Sequence, residues 1–348
     1  MRIKNTEDTK MAKASEIISL IQNLTEEQLD RLKRFILTKL NIVVVATASI
    51  RTHDRPHCGS KHIIKFGKKG GKQRYTCKDC GKVFVESTGT IAYKSRYSFK
   101  VWSEYVTCMI SGHTLRYSAE ACGINYKTAF YWRHKILGSL KEVQDDGLKL
   151  KDIVEADETF FAISYKGNHK FSKIFKMPRK PHKRGEKSKK RGQSREKVCV
   201  SCMVDNHNGY QANIAGLGRI ATVQLEALNK VEEGSMLVTD KAKAYVKYAL
   251  GNHLDLIQLK AGKEYKRGIY SLAHINAFHS SIKKFTLNFN GVSTKHLPNY
   301  LNWRIWLTKT VEMIQSKRSA DMLDESANHR YSITKEQIHA KNPIPVAA

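Results

Sequence analysis

Two aspartates close apolar β-type runs in this chain. Asp157 follows Ile153-Val-Glu-Ala and Asp240 follows Met236-Leu-Val-Thr. The carboxyl tips of strands are where an α/β sheet exposes its chemistry. Two carboxylates held side by side repel each other unless a cation lies between them, and hard, oxygen-seeking Mg²⁺ (or Mn²⁺) suits that role. A pair of such ions about 4 Å apart activates water and steadies a leaving oxygen in phosphodiester cleavage. A third ligand is expected from a helix beside the sheet. Asn276, His279 and Lys283 stand at i, i+3 and i+7, so they share one helical face. Asn276 offers an amide oxygen to a metal. Lys283, roughly 10 Å further along the axis, reaches a phosphate beside it. Glu155 and Glu158 are the next ligands in line should Asn276 not serve.

A second set of donors is sulfur. Cys58-Gly-Ser and Cys77-Lys-Asp-Cys80-Gly flank Ile63-Ile-Lys-Phe66, a glycine-rich turn at 67–71 and Gln73-Arg-Tyr-Thr76. Short hairpins ending in Cys-Gly knuckles read as a zinc-ribbon-like module over 53–92. Cys199 and Cys202 lie three apart on a predicted strand and so face opposite sides, as core residues rather than ligands.

These groups need elements to hold them. A capped helical hairpin is predicted over 11–40, with Thr25 as N-cap before Glu26-Glu-Gln28. Over 97–141, Ser118-Ala-Glu-Ala-Cys-Gly123 leads into a helix rich in Lys, Arg and aromatics, the pattern of a helix-turn-helix. Lys127, Arg133 and Lys135 on that second helix are its expected DNA contacts. From Ile153 the order is three strands, helix, strand, helix, strand, helix, an α/β layer architecture over 150–310. It is interrupted at 164–197 by 14 Lys or Arg against two Glu. Lys183, Arg184, Lys189, Lys190 and Arg191 in that insertion are expected to grip a polyanion. Residues 311–348 carry no clear pattern and read as a tail.

Composition narrows the partner. The 348 residues are 41% hydrophobic, enough for a sizeable core, and carry 61 Lys or Arg against 32 Asp or Glu, a net +29. Such a field attracts nucleic acid. The longest apolar stretch, 42–48, is far too short to span a bilayer, so no membrane partner is expected. Seven cysteines, an odd number with no mark of secretion, fit reduced thiols in a cytoplasmic, nucleoid-associated protein.

Taken in order, the ribbon, the helix-turn-helix, Val154-Glu-Ala-Asp157-Glu-Thr-Phe, the basic insertion, Val238-Thr-Asp240-Lys-Ala-Lys-Ala-Tyr, His274-Ile-Asn276-x-x-His279 and Gly291 through Trp303 resemble bacterial insertion-sequence transposases. The likeness, over about 53–310, is to the DDE superfamily group with Asn at the third catalytic position and a Lys seven residues on. It implies a ribonuclease H-like catalytic domain, a mixed sheet with flanking helices, that cuts and joins element ends with Mg²⁺ or Mn²⁺. Asp157, Asp240 and Asn276 would be the metal triad and Lys283 the accompanying base. DNA ends and target would be the partners of a homodimer or larger complex. The chain departs from that group at Arg55, which stands where the first ribbon cysteine belongs; Cys58, Cys77 and Cys80 remain, with His57 or His53 the stand-in fourth zinc ligand. Two other readings share parts of this pattern: a catalytically silent sequence-specific DNA-binding protein, and a structure-specific nuclease.

Overall fold

A computed structural model describes residues 24–25, 28, 57–145, 148–167, 194–260, 263–264 and 266–341. Most of the predicted hairpin over 11–40 lies outside the described residues. Its cap is visible: the Gln28 amide N–H donates to Thr25 Oγ1, while the Thr25 N–H donates to Gln28 Oε1. This is the reciprocal pairing of a capping box.

The first β module is a three-stranded antiparallel sheet of β1 (Ile63–Lys69), β2 (Lys72–Cys77) and β3 (Val83–Val85). Gly70 and Gly71, both at positive φ, form the two-residue turn between β1 and β2. Only glycine adopts that pair of conformations without strain, and their twist matches the flanking strands.

Three helices follow: α1 (Phe99–Ile110), α2 (Leu115–Ala121) and α3 (Tyr126–Asp145). The α2–α3 turn is as the residues predict. Gly123, at φ 60°, lets the Ile124 N–H reach the Ala119 carbonyl and its own N–H reach that of Glu120, a Schellman ending. The core of this unit stacks Trp102 of α1 on Trp132 of α3, ring centroids 3.7 Å apart.

The main sheet has five strands: β4 (Ile153–Ala162), β5 (Lys197–Asp205), β6 (Tyr210–Leu217), β7 (Met236–Asp240) and β8 (Asp255–Leu259). Their spatial order is β6-β5-β4-β7-β8. The β4–β5–β6 pairs are antiparallel and the β4–β7–β8 pairs parallel. One face packs on α4 (Thr222–Leu228) and α5 (Lys243–Gly251) through Val154, Ala156, Leu237, Tyr245 and Tyr248. The other packs on α6 (Ala273–Leu287) and α7 (Leu297–Lys309) through Val198, Val200, Ile275, Phe278 and Leu301. Cys199 and Cys202 are buried on opposite faces, as their spacing requires. A two-strand ribbon, β9 (Lys266–Arg267) and β10 (Tyr270–Ser271), precedes α6.

Two expectations change here. Asp157 does not end its strand: β4 runs five residues beyond it, paired with β5 through Ala162↔Lys197. It is β7 that ends there, at Asp240. Residues 311–341 are not a tail either. Helix α8 (Gln315–Asn328) buries Met322, Leu323 and Ala327 against α1 and α3, and α9 (Lys335–Ala340) buries Ile338. Polar ties hold α8 in place, Trp306 Nε1 donating to Glu325 and Ser139 Oγ to the Ser326 carbonyl. The small Ser319 and Ser326 among its few apolar residues hide the helical stripe from a reading by periodicity. Among the described residues no helix is long and apolar enough to cross a membrane.

Candidate active site and thiol cluster

The parallel register Ala156↔Thr239 places Asp157 and Asp240 on neighbouring strands one step beyond the last matched pair. Neighbouring strands lie about 4.8 Å apart, and matched residues point to one side, here the side covered by α6. Past Asp240 the edge of β4 away from β5 pairs with no strand among the described residues, and it flanks a pocket of about 470 Å³. Asp157, Glu158, Lys197, His279 and Lys283 line it. Asp240 is not among the lining residues; at the end of the adjacent strand its Oδ1 accepts from the Ala242 N–H at 2.9 Å.

The electrostatics of the pair are those of crowded acids. Burial pushes the Asp157 carboxyl up to about 6, and the nearby Asp240 charge adds to the rise; the Glu158 N–H on its Oδ1 and the Lys283 ammonium act the other way. Glu158, one residue on, turns to the opposite face towards Tyr245, and burial raises its carboxyl to about 7. On the α6 side, His279 is 7% exposed with Nδ1 3.8 Å from Asp157 Oδ2, and its Nε2 has no partner. Burial and Lys283 lower that imidazole to about 4, so it is neutral at pH 7.

Glu155 explains how α6 is held over the sheet. Its buried carboxylate accepts from the Ile275 N–H at 2.9 Å and meets His274 Nδ1 at 2.7 Å. An acid thus satisfies the first turn of the helix from two residues before Asp157. Glu155 is therefore engaged as the anchor of α6. Asn276 is exposed one turn before His279. Of the stripe at 276, 279 and 283, the structure brings the latter two into the pocket with Asp157.

The three thiols Cys58, Cys77 and Cys80 do converge, their sulfurs all within 4.8 Å of one another. The Cys77 thiol is drawn down to about 7, first by the backbone N–H of Cys80. The knuckle is closed by the Gly81 N–H on the Cys77 carbonyl at 2.9 Å. His57 does not join the group: among the described residues the cluster is cysteine alone, and His57 is exposed in the turn before Cys58. His53 lies outside the described residues.

The expected DNA contacts of α3 divide. Lys127 is exposed in the first turn. Arg133 is only 2% exposed: it shares the face of Ala129, Ile136, Leu137 and Leu140, donates to the His113 carbonyl and lies over the Phe289 and Trp303 rings. Arg133 is thus a buried packing residue that no duplex laid on the surface of α3 can touch, which corrects that expectation. Lys135 is half-buried and caps the Ile91 carbonyl. Lys183, Arg184, Lys189, Lys190 and Arg191 lie outside the described residues.

Residues 149–306 match the family described as the ISXO2-like transposase domain. A curated relative from Halobacterium salinarum, an uncharacterized protein in the transposable element ISH50, is 25% identical over 193 residues, 55% of this chain and 62% of that one. The chain thus spans about three-fifths of that relative's length. Among solved structures, the simian T-cell lymphotropic virus intasome in complex with PP2A regulatory subunit B56 gamma aligns at 11% identity and TM-score 0.28, over 61% of this chain and 70% of that one. A pre-cleavage Mos1 transpososome aligns at 12% and TM-score 0.21, over 68% and 81%. Scores this low carry no argument about the architecture described above.

Proposed function

We propose, from the match of residues 149–306 to the ISXO2-like transposase domain family, that this chain binds the ends of an insertion sequence and catalyses their metal-dependent cleavage and strand transfer through a ribonuclease H-like domain. The observation that carries the reading is the juxtaposition of Asp157 and Asp240 on adjacent strands, on the face where α6 delivers His279 and Lys283.

The donor set fits a hard divalent cation. Two carboxylates share one sheet face, and the Asp157 acid is raised by burial and by its neighbour, a penalty that a bound cation would remove. Asp157 and Asp240 would hold it, and Asn276, exposed one turn before His279 and outside the pocket lining, would have to turn its amide oxygen inward to complete the set. When bound, Mg²⁺ or Mn²⁺ supplies water activation and relief of charge on the phosphodiester. The chain's own groups do the rest. Lys283 and Lys197 border the pocket as cations for the phosphate under attack. The neutral His279, with Nε2 unpaired, offers one polar atom without adding charge. Glu155 keeps α6, and so Lys283, in register with Asp157.

In this reading the ribbon, α2–α3 with Lys127, and the basic insertion recognise and hold DNA. Affinity then falls steeply with salt. Two ends must meet, so the active species is a dimer or larger. The test is incubation of the purified full chain with the short inverted repeats flanking its reading frame, with Mg²⁺ or Mn²⁺. Cuts at the element ends, absent with EDTA, are expected. Sequence-specific binding with no cutting would leave a DNA-binding protein instead, and nicking that follows DNA shape rather than sequence would make it a structure-specific nuclease.

A further inference from the structure

Between the helical unit and the sheet lies a second cavity, of about 540 Å³, distinct from the pocket at Asp157. Its walls are the α1–α2 turn, one face of α3, the turn after α6, the segment at 293–296 and the root of the basic insertion. Arg116, Arg133, Lys166 and Lys295 border it together with His134 and His296, and no Asp or Glu is among the described residues lining it. Of these cations Arg133 is buried and Arg116 is exposed at the rim; a buried guanidinium on a wall whose described lining holds no carboxylate favours an anion from outside.

The wall also holds unused donors in its dry part. Arg133 and His296 are 2% and 6% exposed, and Arg133 Nε and His296 Nδ1 have no partner. The second quality of the cavity is aromatic. His134 and His296 stack with centroids 4.0 Å apart, Phe130 meets both edge-on, and Phe289 forms the far side. Cations for a phosphate beside flat rings for a base describe a nucleotide.

Its position supplies the source. Asn288, on the cavity wall, follows Lys283 of the Asp157 pocket by five residues at the end of α6. That is about 7.5 Å at helical rise, or roughly two base steps at ~3.4 Å each. Lys166 ties the insertion's root to the same turn by donating to the carbonyls of Phe289, Asn290 and Gly291.

We propose that this cavity receives a nucleotide swung out of DNA bound at the neighbouring pocket, its phosphate paired with Arg116 and Arg133 and its base set against the His134–His296 stack. The choice of DNA as source rests on the transposase reading; the affinity for a nucleotide does not.

Calorimetry of the full chain with dAMP, deoxyadenosine and inorganic phosphate tests the cavity without any cleavage. dAMP is expected to bind at least tenfold more tightly than either fragment. Arg116→Glu and His296→Phe are each expected to weaken it about tenfold, with Lys247→Glu, a charge reversal on α5, leaving it unchanged. Phosphate binding as well as dAMP, or Lys247→Glu matching Arg116→Glu, would overturn the proposal. The source is read with terminal-repeat duplexes carrying 2-aminopurine at each adenine in turn. A fluorescence rise at one position, lost in His296→Phe and in excess dAMP while gel-shift affinity persists, supports extrusion. No rise on duplexes that do bind overturns the DNA source, and failure of the duplexes to bind at all, with dAMP affinity intact, removes the transposase reading and the DNA source together.

Discussion

Three thiols and two carboxylates are each brought together, the sulfurs within 4.8 Å of one another and the carboxylates onto adjacent strands, by opposite means. Cys58 and Cys80 are 22 residues apart, in the turns before β1 and after β2; Asp157 and Asp240 are 83 apart and become neighbours only because β4 and β7 pair in parallel. Glycine turns and a knuckle hold the sulfurs at an exposed margin, where a metal's binding energy is folding energy. The carboxylates are held by a ladder whose core exists without any ion, and the sheet bears the cost of crowding them. A locally built site is legible in a few residues and would depend on a metal for its stability; a sheet-built site depends on the whole domain and would only use one.

The sharpest way to break this contrast is Asp157→Asn. DNA cleavage is expected to drop about 10³-fold or more while DNA affinity stays within about twofold and zinc content is unchanged, as read by end-labelled cleavage, gel shift and metal analysis. Equal loss in all three would mean that the two sites are not independent. The converse variant, Cys77→Ser, is expected to lower zinc affinity about tenfold or more and to speed amide exchange over β1–β3 alone. Exchange rising across β4 and β7 as well would undo the claim of local construction.

Glu155→Gln asks whether the ladder alone suffices. Weakening the charged acceptor that holds the Ile275 N–H and His274 is expected to lower stability by about 1–3 kcal/mol in urea unfolding. Cleavage should fall with it, because α6 carries Lys283. Undiminished stability would make the anchor ornamental.

The smallest effect concerns pH. The Asp157 carboxyl is raised to about 6, so the folded chain holds that proton more tightly than the unfolded one. Its contribution to stability is therefore best below the unfolded value near 4 and is lost as pH rises towards 6. Without metal, Asp157→Asn is expected to melt roughly 2–4 °C higher than wild type at pH 7 and no higher at pH 4. Mg²⁺ should raise wild type but not the variant. Calorimetric scans at the two pH values decide it.

What could be read from residues alone follows the same division. The strand and helix order from Ile153, the Gly123 turn, the convergence of Cys58, Cys77 and Cys80, and the opposed Cys199 and Cys202 all rest on local period or local turn chemistry, and all appear in the structure. Glu155 looked like a spare ligand because nothing near it in sequence reveals that α6 begins 118 residues later against its carboxylate. Arg133 looked like a DNA contact because charge suggests a surface. Its burial depends on Phe289 and Trp303, which no local pattern joins to it. Helix α8 was hidden because its partners, α1 and α3, come some two hundred residues earlier.

Helix α7 belongs to two interiors at once. Leu297, Leu301 and Ile305 fill the sheet's core, while Tyr300, Trp303 and Trp306 fill that of α1, α3 and α8. An element apolar on every side cannot act as a hinge. The helical unit and the sheet therefore share one axle: under the proposed function, any tilt imposed on α3 by a misplaced duplex would be transmitted to the sheet that carries Asp157. In that reading, correct seating of DNA would be a mechanical condition for the cut.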